Sequence, residues 1–278
     1  MKVTNYQGAT IDPFGKGLGM VSGTSIKLND ASRLQWNLLE EDVSLPAAVL
    51  YSDRIEHNLK WMQAFVGEYG VKLAPHGKTT MAPQLFLPSA RNRRVGHYAR
   101  DGASGTRDLS RWRASHPDGE STGRQGQMGM IAELLTDPNF EFFCLVDLAD
   151  GVDQLGGFFS SVHKKLNVLI ELGVPGGRTG VRDDAQREAV LTAIARWPST
   201  IELAGIYLYE SVLQDETKVR EFLQSAVGIT RKLISEGKIA RKPAILSGAG
   251  SAWYMVVSVS ATRLEFPNTQ CEGFAIAS

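Results

Sequence analysis

His76-Gly77-Lys78-Thr79 follows directly on the apolar run Val71-Lys72-Leu73-Ala74-Pro75, which sets a lysine at the carboxyl end of a predicted strand. In a parallel α/β barrel, that end is the mouth where active sites are built. Partial burial there lowers a lysine's pKa and makes its amine a nucleophile toward an aldehyde. Without such surroundings the same residue is a solvated surface charge. His76 falls two residues earlier, on the same side of an extended segment as Lys78. Two further groups suit an anion. Gly173 to Arg182 (GVPGGRTGVR) follows an apolar strand, so its glycines allow close backbone approach to a ligand while Arg178 offers a fixed cation. The alternative there is a strand-to-helix turn with a solvated arginine. Ser247-Gly248-Ala249-Gly250-Ser251 ends another strand and opens a helix, so its backbone N–H groups and the helix dipole suit a phosphate. Gly15-Lys-Gly-Leu-Gly19 follows no strand, which excludes a dinucleotide reading.

These groups need a scaffold, and the chain supplies a β/α alternation. Ala47 to Tyr51 reads as a buried strand, and Ser52 or Asp53 caps a helix whose Ile55, Leu59, Met62 and Val66 form one apolar stripe. Val71 to Ala74 is the second strand. Phe140 to Val146, Leu166 to Leu172, Ile201 to Tyr209 and Pro243 to Ser247 are the others. Helices are expected over Gly151 to Phe159, Asp184 to Arg196 and Glu216 to Glu236. The sum is six strands, whereas the common closed parallel barrel has eight.

Residues 87–125 interrupt the pattern, with arginine at roughly one residue in five. A structureless stretch of that length inside a barrel counts against itself. Arginine, glycine, alanine and serine enrichment is also what a GC-rich coding sequence yields out of frame. A choice of synonymous codons read one nucleotide later permits two strand-like runs, GITLAT and RVILMA, which bring the six strands to eight. A compensated pair of frameshifts is therefore the expectation for this stretch. Residues 1–45 read as an irregular segment in which Trp36 to Leu39 packs as a lid or brace, residues 46–257 as the barrel, and residues 258–278 as a tail.

Composition removes several classes of function. Thirty basic residues balance thirty acidic ones, so no field for nucleic acid or a membrane surface is implied. Cys144 and Cys271 are too few for a disulfide framework and lack metal-ligand spacing. No apolar run approaches a membrane span and the N-terminus lacks the core of a signal peptide, which points to a cytoplasmic protein.

Pro46-Ala-Ala-Val-Leu, Leu73-Ala-Pro-His-Gly-Lys-Thr-Thr80, Gly177-Arg-Thr-Gly180, Gly205-Ile-Tyr-Leu-Tyr-Glu210 and Ser247-Gly-Ala-Gly-Ser251 occur in an order that resembles fold-type III pyridoxal phosphate enzymes. The resemblance is to the branch of D-serine dehydratase, D-threonine aldolase and amino-acid deaminase, and covers residues 35–257 apart from 87–125. It implies an α/β fold, the (β/α)8 TIM-type barrel of the alanine racemase N-terminal kind, incomplete here because residues 87–125 are irregular and the family's C-terminal β-domain does not follow.

The same resemblance implies pyridoxal 5'-phosphate as cofactor, held as an internal aldimine on Lys78, the catalytic residue. His76 could contact the cofactor or be a buried structural histidine. Arg178, Tyr209 and the run Ser247, Gly248, Ala249, Gly250 and Ser251 are the further cofactor-binding candidates, whereas Tyr207, deeper on the strand, suits the core. The substrate implied is a small D-amino acid of the D-serine or D-threonine type, undergoing deamination, dehydration or aldol cleavage, and the assembly a homodimer. Zinc belongs to the family, but its ligands are expected beyond this chain. A racemase, a noncatalytic cofactor-binding barrel and an inactive truncated relative stay open as alternatives.

Overall fold

The structure, a computed structural model, describes residues 10–11, 26–73, 111–113, 121–138, 140–177, 179–210, 212–239, 241–248, 250, 252–263 and 274–276. These fall into two compact units, one ending at Trp61 and the other running from Met62 onward. In the first unit, β1 (Thr10–Ile11) pairs antiparallel with β2 (Ile26–Lys27), and 3-10 turns cover Leu28–Leu34 and Leu38–Glu40. Asn37 caps the second of these turns, its Oδ1 accepting the Leu39 N–H at 3.0 Å.

The second unit is an α/β layer structure. Its parallel sheet comprises β3 (Lys72–Leu73), β4 (Arg111–Arg113), β5 (Phe143–Val146), β6 (Leu166–Leu172), β7 (Ile201–Leu208), β8 (Ile245–Gly248) and β9 (Phe274–Ile276). Their spatial order is β3-β9-β8-β7-β6-β5-β4. Helices α1 (Ser52–Glu68, in this unit from Met62 on), α2 (Ser121–Leu134), α3 (Ala149–Ser161), α4 (Asp184–Ala195), α5 (Glu216–Ser235) and α6 (Tyr254–Arg263) complete the alternation.

Local chemistry accounts for the strongest elements. Asp183 and Asp215 cap α4 and α5, their carboxylates accepting the N–H groups of Gln186 at 2.8 Å and Lys218 at 3.1 Å. Each such cap stabilises a helix by about 1 kcal/mol. Along α5, Val219, Leu223, Ala226, Val227, Thr230 and Leu233 form the buried stripe, the helical spacing that packs one face on a sheet. In the C-terminal part of α1, Phe65 packs against Tyr254 of α6 with ring centroids 5.4 Å apart.

The sheet is buried on both faces, as parallel sheets usually are. Cys144, Val146, Val168, Ile170, Leu172, Ile206 and Leu208 join the helices in the main core. On the other face Phe143, Leu145, Leu169, Ala204 and Tyr207 form a smaller cluster with Ile245. Between β6 and β7 the register slips: Val168 faces Leu203, but Leu169 faces Gly205, so Ala204 is one extra residue. Gly205 answers a steric need there, since a Cβ would come within 1.8 Å of the Ile245 carbonyl oxygen.

Several expectations change. Ala47 to Tyr51 is not a strand: it has no regular structure, and Val49, Leu50 and Tyr51 are exposed. The stretch 87–125, expected to be irregular, contains β4 and the start of α2. The strand there, Arg111–Arg113, pairs with Phe143, Cys144 and Leu145. Backbone pairing along an otherwise open sheet edge does not require the apolar pattern that marks central strands. The tail likewise supplies β9, which stands between β8 and β3. Instead of eight strands, the described residues carry seven in this sheet, with β3 and β4 at its two ends. Among the described residues no helix is long and apolar enough to cross a membrane.

Candidate functional site

All seven strands of the main sheet run parallel, so their carboxyl ends gather the loops in which such folds place ligands. Backbone register pairs Glu171 with Tyr207, Tyr207 with Ser247, Ser247 with Ala275, and Ala275 with Lys72. Glu171 and Ser247 lie two residues beyond Leu169 and Ile245 of the smaller apolar cluster, and Tyr207, paired with both, is the cluster's own polar member on that face. A row of polar side chains therefore caps that cluster at the carboxyl edge. All three are buried, with exposures of 2%, 2% and 7%.

Around this row the loops are held by carboxylates. After β6 the chain turns back on itself: Val181 donates to the Glu171 carbonyl at 2.8 Å and Gly173 to the Val181 carbonyl at 2.9 Å. The turn is too tight for side chains, as a Cβ on Gly173 would stand 2.3 Å from the Thr179 carbonyl oxygen. Thr179 Oγ1 donates to Glu171 Oε1 at 3.0 Å, the Gly180 N–H donates to Asp147 Oδ2 at 2.8 Å, and Arg182 Nη2 donates to the Gly177 carbonyl at 2.6 Å. After β8, the Gly250 N–H donates to Oε1 of the fully buried Glu210 at 2.6 Å.

The predicted site residues are distributed as follows. Ser247 and Gly248 end β8, and Tyr209 stands just past β7 with 43% exposure, open to a ligand. Tyr207 is in the core, as its depth on the strand suggests. Gly248 lies against β7, where a Cβ would come within 2.8 Å of Leu208 Cγ. Gly250 is placed with its N–H donating to Glu210 Oε1. His76, Lys78, Arg178, Ala249 and Ser251 lie outside the described residues.

Glu171, Glu210, Asp147 and Thr179 were not singled out as site residues. The signal for the first was a carboxylate inside the apolar run LNVLIEL, which burial makes costly unless it is hydrogen-bonded.

Residues 50–264 match the alanine racemase N-terminal domain, and the chain belongs to that family, the fold-type III class of pyridoxal phosphate proteins. It is 26% identical over 241 residues to a D-threonine aldolase of Arthrobacter sp., a match covering 80% of this chain and 60% of that protein. Its fold resembles the crystal structure of D-threonine aldolase from Filomicrobium marinum, with a TM-score of 0.63 at 19% identity, covering 85% of this chain and 62% of that one. It also resembles D-threo-3-hydroxyaspartate dehydratase from Delftia sp. HT23, with a TM-score of 0.55 at 17% identity, covering 84% and 60%. The chain thus spans about three fifths of the length of these relatives.

The described donor set fits a compact polar cofactor of the kind this family uses. The half-exposed Tyr209 just past β7 and Ser247 at the end of β8 set two hydroxyl-bearing residues at the carboxyl edge of one parallel sheet, with Tyr207 and Glu171 buried behind them. Among the described residues no group of three or more His, Cys, Asp or Glu could hold a metal ion.

Proposed function

We propose that the chain is a pyridoxal phosphate-dependent lyase acting on a D-amino acid that carries a hydroxyl on Cβ. The observation that carries this reading is the buried row Glu171, Tyr207 and Ser247 at the carboxyl edge of a family sheet, whose end strand β3, beyond β9, precedes Lys78 in the chain. The names of its relatives support the substrate class, since D-threonine and D-threo-3-hydroxyaspartate both carry that hydroxyl.

Lys78 would anchor the cofactor through its amine, with Ser247, Tyr209, Arg178 and His76 as the groups that hold it. When bound, the cofactor ring accepts electron density released at the substrate Cα. The Lys78 amine would be the natural base for the α-proton of a D-serine type substrate, whose loss with the β-hydroxyl gives aminoacrylate, hydrolysed by water to pyruvate and ammonia. Cleavage between Cα and Cβ, the aldolase outcome, requires a base at the hydroxyl instead.

The test is a spectrum of the purified protein with added pyridoxal 5'-phosphate, compared with that of Lys78→Ala and followed by borohydride fixation. Cofactor absorbance fixed to the Lys78 peptide, with ammonia or aldehyde released from D-serine or D-threonine, is the expected result. Identical spectra for wild type and Lys78→Ala would sink the assignment. Fixation without turnover of any D-amino acid would instead return the noncatalytic binding barrel.

A further inference from the structure

The exits of β7 and β8 are laced together by two cross-connections. At one, Glu210 Oε1 accepts the Gly250 N–H at 2.6 Å. At the other, Trp253 Nε1 donates to the Leu213 carbonyl at 3.0 Å. Each side is braced within itself: the Leu213 N–H donates to the Glu210 carbonyl at 2.8 Å, and the Trp253 N–H to the Gly250 carbonyl at 3.3 Å. Glu210, Leu213, Gly250 and Trp253 are thus joined in a closed clasp of four hydrogen bonds, with the Glu210 side chain wholly shielded from solvent at one corner.

A buried carboxyl group without a hydrogen-bond partner is costly, so the contact of the wholly buried Glu210 with a backbone amide is not incidental. Gly248, which ends β8, lies two residues before Gly250 in the chain, and the half-exposed Tyr209 stands immediately before Glu210. We propose that Glu210 is a positioning residue, which turns the Gly250 amide inward and so fixes the glycine loop after β8 against Tyr209 for uptake of a phosphate-bearing aldehyde cofactor. This rests on the proposed function. Glu210 acts without touching the cofactor: the amide it engages is withdrawn from phosphate binding, and neighbouring groups are left to serve it.

The experiment titrates pyridoxal 5'-phosphate into the full chain by absorbance, for wild type, Glu210→Gln and Glu210→Ala, with melting temperatures and Gly250 amide exchange measured on the cofactor-free proteins. Glu210→Gln keeps an acceptor oxygen and should weaken uptake about threefold, whereas Glu210→Ala should weaken it tenfold or more and speed Gly250 exchange. Should Glu210→Ala fail to fold, Glu210→Gln still decides, because faster Gly250 exchange together with weaker uptake is required of it. Unchanged uptake in a folded variant overturns the positioning role alone. Wild-type protein that takes up no cofactor overturns the proposed function and, with it, the role of Glu210 toward that cofactor.

Discussion

Asp147 Oδ2 accepts the Gly180 N–H at 2.8 Å, so a carboxylate just past one strand holds the loop that follows the next. Glu210 and Gly250 repeat the relationship two strands on. Glycine loops that bind anions must present amides outward, and a carboxylate drawing one amide inward constrains where the rest can point.

Asp147→Ala should therefore loosen the loop after β6. Losing a charged acceptor costs about 1.5–3 kcal/mol, and Gly180 amide exchange should quicken while exchange in α5 does not. In the same loop, Gly180→Ala should cost far more than Gly176→Ala. Both glycines have positive φ, +92° and +75°, but only at Gly180 would a Cβ strike backbone, 2.4 Å from the Gly173 nitrogen. Equal melting temperatures for the two variants would contradict this geometry.

Adjacent glycines in α3 make a matched pair. The Trp197 ring lies over Gly156, where a Cβ would be 2.3 Å from Cδ2, whereas at Gly157 the nearest ring atom would be 4.0 Å away. Gly156→Ala should destabilise by about 1–3 kcal/mol through overpacking. Gly157→Ala should be neutral or stabilising by up to about 1 kcal/mol, the helix-propensity gain of alanine. Thermal unfolding of both variants checks the contrast.

Asp153 supplies a pH dependence. Hydrogen bonding from Arg196 holds its carboxyl below the usual range, partial burial opposes this, and Trp197, whose Nε1 donates at 2.8 Å, adds to it. A carboxyl whose folded pKa is depressed stabilises the fold above its unfolded pKa, about 3.9, and loses that contribution as pH falls through the folded value. Asp153→Asn should lower the melting temperature near pH 7, and the gap from wild type should close on acidification below about pH 4. Both ion-pair side chains are more than a third exposed, at 49% and 37%, so the effect should stay within about 1 kcal/mol. A gap that widens in acid would reverse the argument.

How much of this was legible in the residues differs by element. Leu166–Leu172 and Ile201–Leu208 declare themselves because central parallel strands are apolar over most of their length, and α4 and α5 because Asp183 and Asp215 mark their starts. Arg111–Arg113 and Phe274–Ile276 escaped notice, since three residues carry no period and such strands owe their place to a partner's backbone. Ala47 to Tyr51 misled for the converse reason: an apolar run is compatible with a strand but does not recruit a neighbour to pair with. At the site, Ser247 and Tyr209 were found through their strand ends, while Glu210, although inside a quoted motif, gave no hint that its target is an amide 40 residues away.

The slip at Ala204 has a consequence for descent. Below it Ile201 and Leu203 join the helix-side core, and above it Ile206 and Leu208 do, so the alternation of β7 changes phase midway. Were Ala204 itself paired in one continuous register, Tyr207 would fall among the helices and Ile206 would face Glu171. Loss of the Ala204 codon would instead remove the bulge and leave Tyr207 opposite Glu171, so at this one point the strand can shorten by a residue without moving the phenol. Among relatives, a strand one residue shorter here would keep the same face toward Glu171.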